Sequence, residues 1–193
     1  MKYHLQHGLP ESQRLAAARL YWQAFGGKLG HVLGPEERAL RFLTRVMRLD
    51  NCIAAMDDEG RLCGIAGYRT AMGSFAGGDA ADLRAIYGRA GAAWRLRVLR
   101  FSSDDSDDFL LDGISVDRTA RSQGIGTDMI ITLCGLARSQ GHLAVSLDVI
   151  GSNFRAIALY RRLGFVEHHR KSIGLLRHIF GFSQVVSMVK RLD

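Results

Sequence analysis

The residues Arg121-Ser122-Gln123-Gly124-Ile125-Gly126 combine a cation with two closely spaced glycines. They follow the apolar run Leu110-Leu111-Asp112-Gly113-Ile114-Ser115-Val116 and open a stretch of helical periodicity. A helix that begins at Gly124 presents amide N–H groups with no intrahelical partner, backed by the positive end of the helix dipole. Both features favour a phosphate. Glycines let the backbone approach it, and Arg121 adds a charge-assisted contact. A helix that merely starts with glycines is the plainer reading of the same residues. No Lys-Ser/Thr follows the glycines, which excludes a Walker A loop, and the spacing is not that of a dinucleotide fold. Three side chains near this loop in sequence are able to move protons: Asp112, Asp148 and Tyr160. A phenol is neutral at pH 7 and donates, whereas a carboxylate accepts or orients a cation. Tyr160 also fits simple helix packing with Leu159 and Leu163.

The elements that would carry these residues follow from periodicity and from turn residues. Met1 to Gly8 reads as an edge strand. Pro10 opens a helix through Leu15, Ala18, Trp22 and Phe25, which Gly26-Gly27 is expected to stop. Pro35 opens a second helix with Leu40, Leu43 and Met47 on its buried side, widened by Phe42, Val46 and Leu49. Residues 52–56 and 62–70 form a hairpin around Asp57-Asp58-Glu59-Gly60. Residues 79–100 read as helical with interruptions near Gly88 and Gly91, and an acidic loop follows. Strand 109–116, helix 124–140, strand 143–150 and a helix ending at Leu163 make a βαβα unit, which demands a parallel pair with a right-handed crossover. Gly141 and Gly164 end its helices, and Ser152 or Asn153 caps the second. Gly113 marks a bulge or a close backbone approach. Two last strands are expected at 165–169 and 184–191. The expected fold is a single α/β domain over residues 1–193, with a mixed central sheet and helices on both faces.

Four linked stretches resemble the GNAT acetyltransferase superfamily: Ile114-Ser115-Val116, Arg121 to Gly126, Leu147-Asp148-Val149 with Asn153, and Ala156 to Phe165. The pattern is similar to that of the ribosomal-protein alanine N-acetyltransferases, and it covers residues 109–166. The resemblance implies a mixed-sheet acyltransferase that uses acetyl-CoA as co-substrate. It implies that the Ile114-Ser115-Val116 strand is the cofactor strand, with the backbone of Ile114 and Val116 pairing to the pantetheine arm. The amides of Ser122, Gln123, Gly124, Ile125, Gly126 and Thr127 would hold the pyrophosphate, and Asn153 would hydrogen-bond the cofactor. Arg118 and Ser122 depart from the common pattern, where relatives carry proline and glycine. Tyr160 is then the proton donor to the CoA sulfur. Asp148 or Asp112 is the base, acting directly or through water, and either alternatively orients the ammonium or pairs with an arginine. A backbone amide of the Ile114 strand polarises the thioester oxygen.

The acceptor expected is a primary amine of a small molecule or peptide, bound by segments 10–49, 79–108 and 170–183 beside the cofactor core 109–166. A CoA-binding module without turnover is the second reading. His168 and His169 line the acceptor site or form a surface strand pair. The acidic run Asp104–Asp108 attracts a cationic amine or is a solvated loop. Residues 172–183 are long and apolar for a hairpin, and are read as a wall of the acceptor site or a homodimer contact. The net charge of +7 also raises nucleic acid, but the arginines are scattered rather than interleaved with aromatics, so none is expected. Cys52, Cys63 and Cys134 are odd in number, sit in apolar segments and fit no metal spacing; buried thiols are expected. The start of the chain lacks a signal-peptide pattern and no run is long enough to span a bilayer, so a cytoplasmic location away from membranes is expected.

Overall fold

The computed structural model describes residues 2–100, 109–174 and 177–192. Strand β1 (Tyr3–His7) ends at Gly8, and Pro10 leads through a short 3-10 turn into α1 (Arg14–Leu33). This helix runs past the expected stop at Gly26-Gly27. Trp22 lies over Gly26, where a Cβ would come within 2.8 Å of the indole ring. Val32 and Leu33 are buried at the far end. That burial offsets the helix cost of the glycines, about 1 kcal/mol each. The helix ends where Pro35 forbids the α conformation at Gly34. In α2 (Glu36–Val46), Ala39, Phe42, Leu43 and Val46 are buried at helical spacing, and two glutamates occupy the first turn.

β2 (Cys52–Asp57) and β3 (Leu62–Thr70) form the expected hairpin. Asp57 Oδ1 accepts from the amides of Glu59 and Arg61 across its turn. A two-residue strand, β4 (Gly73–Ser74), pairs with the end of β3 and was not legible in the sequence. α3 (Ala80–Arg100) is broken at Gly88, with φ 71° and ψ 174°, whereas Gly91 stays helical. The acidic run 104–108 lies outside the described residues.

The rest of the chain is β5 (Phe109–Val116), α4 (Ile125–Ser139), β6 (Ala144–Ile150), α5 (Phe154–Arg162), β7 (Val166–Ser172), α6 (Arg177–Phe180) and β8 (Gln184–Arg191). The strands form one eight-stranded sheet in the order β1-β2-β3-β5-β6-β8-β7, with β4 attached to β3. β5 and β6 pair in parallel and every other recorded pair is antiparallel. The fold is thus the expected single mixed α/β domain. One face packs on α4 and α5 through Ile125, Met129, Leu133, Ile157 and Tyr160. The other packs on α1 and the end of α2 through Ala17, Leu20, Tyr21 and Leu43. A third cluster joins α1, α2 and α3 to Ile173 and Phe180. Cys52, Cys63 and Cys134 are free and buried. No helix among the described residues is long and apolar enough to cross a membrane.

Candidate active site

Phe109 and Leu111 face the α4 side of the sheet, and strict alternation along β5 would place Gly113 and Ser115 there too. Instead Ile114 and Val116 pack on that side. The register gives the reason. Gly67 lies opposite Gly113 and Tyr68 opposite Leu111, which leaves Asp112 as an extra residue. This β-bulge reverses the strand's parity. Asp112 and Gly113 both face α1. Gly113 has no side chain because Phe25 and Tyr21 fill the space: a Cβ there would come within 3.0 Å of Phe25 Cζ. Ser115 is buried on the same side, its Oγ donating to the Leu20 carbonyl (2.8 Å). Its side chain therefore serves packing, which leaves only its backbone for the expected cofactor contact.

The bulge also ends the parallel ladder. β5 and β6 pair over Phe109–Val145, Leu110–Ser146 and Leu111–Leu147, with no pair recorded beyond. From there β5 stays with β3 as far as Val116, and β6 stays with β8 as far as Ile150. The sheet therefore splits into two halves around a gap. Asp117 N–H donates to the Cys63 carbonyl (2.8 Å), which fixes which residues of β5 are bonded to β3. By antiparallel alternation Ile114 and Val116 turn their N–H and C=O away from β3 into the gap. The Val116 carbonyl there accepts from Arg121 Nε (3.1 Å).

The loop after β5 is built to deliver a helix start at the top of that gap. Asp117 Oδ1 accepts from the Thr119 amide (2.9 Å) and holds a 3-10 turn over Arg118–Ala120. Ser122 (φ 64°) and Gly124 (φ 86°) then take left-handed conformations, the backbone type from which anion-binding turns are built. Ile125 is buried and anchors α4, while Ser122, Gln123 and Gly124 are exposed. A Cβ at Gly126 would sit in ordinary contact with Ile114 and Val116 (3.8 Å), so its small size is not demanded by packing within the chain. Thr127 completes the first turn. Asn153 caps α5, its Oδ1 accepting from the Ala156 amide (3.3 Å).

The three groups expected to move protons surround the point where the strands part. Asp148 is the first residue of β6 past the ladder, exposed, and on the face away from α4 and α5. It accepts from Ser187 Oγ (2.5 Å), directly across β8. Asp112 is half-buried on the same side of the sheet and accepts from Ser74 Oγ (2.5 Å) and the Ala76 amide (3.4 Å). Tyr160 comes from the other face on α5. Its ring is buried against Phe165, edge to face at 5.8 Å. Burial pushes its phenol up to about 12, so it remains protonated through the neutral range. Its hydroxyl makes no hydrogen bond among the described residues. No fully buried side-chain polar atom there lacks a partner, so that hydroxyl keeps access to solvent.

Sequence reasoning missed Ser74, Ser187 and Tyr21. The two serines meet the carboxylates through strand register, which leaves no local signal. Tyr21 reads as one more apolar residue on α1, yet burial first and the Asp112 charge second push its phenol far above its ordinary value. His168 and His169 lie on β7, an edge strand on which every residue is exposed, so the surface-strand reading holds. Residues 172–183 send Ile173 and Phe180 into the cluster with α1, α2 and α3.

A mixed α/β domain whose one parallel pair opens around a backbone slot below a glycine helix start defines a recognisable class. The chain belongs to the acetyltransferase (GNAT) family, whose profile matches residues 15–165. It is 36% identical over 77 residues to a probable N-acetyltransferase, camello, of Xenopus tropicalis, an overlap of 40% of this chain and 35% of that protein. The chain thus spans about a third of the length of that curated relative. Two solved structures share the fold. One is the ribosomal-protein-S18-alanine N-acetyltransferase from Escherichia coli, with 15% identity, TM-score 0.62, and coverage of 100% of this chain and 95% of that one. The other is a GNAT superfamily phosphinothricin acetyltransferase from Sinorhizobium meliloti in complex with AcCoA, with 20% identity, TM-score 0.61, and coverage of 100% and 90%.

Proposed function

We propose that the protein moves an acetyl group from acetyl-CoA to a primary amine of a small molecule or peptide by direct transfer. One observation carries this reading: the backbone of Ile114 and Val116 faces an opening between strands that also meets two carboxylates and a solvent-reaching phenol. The residues fit acetyl-CoA on that ground. The strand edge offers the pantetheine amides a ladder, and the amides of Ser122 to Thr127 with Arg121 offer the pyrophosphate a positive cradle. Asn153 keeps its carboxamide N–H groups for the cofactor while its oxygen caps α5. A relative of the same fold binding acetyl-CoA supports the assignment of the donor.

The donor supplies an activated thioester, whose carbon–sulfur bond breaks as the amine nitrogen bonds to the acyl carbon. Asp148 takes the proton that the ammonium must lose, directly or through water. Asp112 orients the amine from the neighbouring strand. The Ile114 strand amide polarises the acyl oxygen. Tyr160 donates a proton to the leaving sulfur, and the second proton, shed by the nitrogen as it becomes an amide, restores the phenol through solvent. The experiment is a turnover screen that follows CoA thiol release with polyamines, aminoglycosides, amino acids and peptide N-termini. Sustained release with at least one amine supports transfer. Background consumption with every class, alongside tight CoA binding, would show a binding module instead.

A further inference from the structure

Tyr21, Phe25 and Lys28 recur at helical spacing along α1, on the side that covers the bulge. The Tyr21 and Phe25 rings lie 4.5 Å apart, tilted by 38°, and both reach Gly113. Tyr21 feels the charge of Asp112. Phe25 lies under the ammonium of Lys28, 5.9 Å from its ring centroid. The two rings therefore separate a carboxylate from an ammonium. Among the described residues neither has an opposite charge in contact. Asp112 accepts only from Ser74 and Ala76 among the described residues. Lys28 makes no hydrogen bond or ion pair there, and every cation in the recorded ion pairs is an arginine. Lys28 is half-buried, and desolvation lowers its pKa. A half-buried charge without a counter-charge is unfavourable, and a ligand that supplies one relieves it.

We propose that the acceptor is an amine that also carries an anionic group, a carboxylate or a phosphate. Its ammonium end lies at Asp112, its anion lies on Lys28, and the Tyr21 and Phe25 rings wall the link between them. This rests on the transfer reading above and names the class of acceptor for that site. A monoamine of this class spans both charges, whereas a polyamine or a neutral amine leaves Lys28 without a partner.

The test compares matched acceptors by thiol release: 6-aminohexanoate with 6-aminohexanamide, O-phosphoethanolamine with ethanolamine, and glucosamine 6-phosphate with glucosamine. The anionic member of at least one pair is expected to have a kcat/KM about tenfold higher, the size of one charge-assisted contact. The carboxylate pair and the phosphate pairs separate the two anions. Lys28→Gln is expected to remove that preference through the KM of the anionic member, and Lys28→Arg to keep it. A preference that survives Lys28→Gln, or a wild type that favours the uncharged member of every pair, overturns the proposal. If none of these amines turns over, the transfer reading is the one in question. The same pairs are then titrated calorimetrically into the CoA-loaded protein. Tighter binding of the anionic member, lost in Lys28→Gln, supports the proposal, and equal binding overturns it. Thermal unfolding of each variant separates loss of recognition from loss of fold.

Discussion

Replacing Tyr160 with phenylalanine removes one oxygen from a ring whose packing is otherwise complete. The edge-to-face contact with Phe165 survives, because only the ring makes it. No hydrogen bond among the described residues is broken. The stability change is therefore expected to stay within about 1 kcal/mol, or about 2–4 °C in Tm for a chain of this size. The rate is expected to behave differently. If the phenol protonates the leaving sulfur, kcat falls by roughly 10²–10⁴, equivalent to about 3–5 kcal/mol on the barrier. CoA affinity stays near its wild-type value. The assay is single-turnover thiol release at saturating acetyl-CoA and amine, with calorimetry for CoA and a thermal melt on the same preparation. An unchanged rate removes Tyr160 from the chemistry, and a rate that falls only in step with the folded fraction makes it a packing residue. The pH dependence adds a second check. The folded pKa of about 12 lies above the ordinary phenol value, so the stability linked to this group is full below about pH 10 and is lost as pH rises toward 12. Tyr160→Phe is expected to lack that alkaline loss.

Gly124→Ala places a side chain at φ 86°, where the nearest foreign atom is Tyr3 Oη at 3.9 Å. The cost is thus backbone strain, about 1–2 kcal/mol. CoA affinity is expected to fall with it, and calorimetry showing wild-type affinity would detach this loop from the phosphate. Asp148→Asn retains an acceptor for Ser187 Oγ but loses the base, so kcat is expected to drop by roughly 10²–10⁴. Asp112→Asn is expected to act chiefly on the KM of the amine. Steady-state kinetics showing the reverse pattern would exchange the two roles.

How much of this was legible along the chain depends on the range of the forces involved. The glycine loop before α4, the helix starts at Pro35 and Asn153, and the stops at Gly141 and Gly164 are local, because caps, proline and left-handed glycine act within one turn. The glycines at 26 and 27 misled for the same reason. Their local weakness was outweighed by Trp22, Val32 and Leu33, whose burial depends on α2 and α3. The short strand β4 escaped notice because two residues carry no periodicity, yet it brings Ser74 to Asp112.

The sequence by itself determined that residues 109–166 form a parallel unit with a glycine helix start, and it named Asp112, Asp148 and Tyr160 as the groups able to move protons. Only the tertiary structure decided how they meet. One extra residue in β5 reverses the side-chain parity, ends the ladder with β6 after Leu111–Leu147 and turns the Ile114 and Val116 backbone toward an opening. It sets Asp112 beside Tyr21, and Lys28, over the neighbouring Phe25 ring, has no recorded ion pair among the described residues. A bulge is a mismatch between two strands, so it belongs to a pairing rather than to either segment, and no local propensity encodes it.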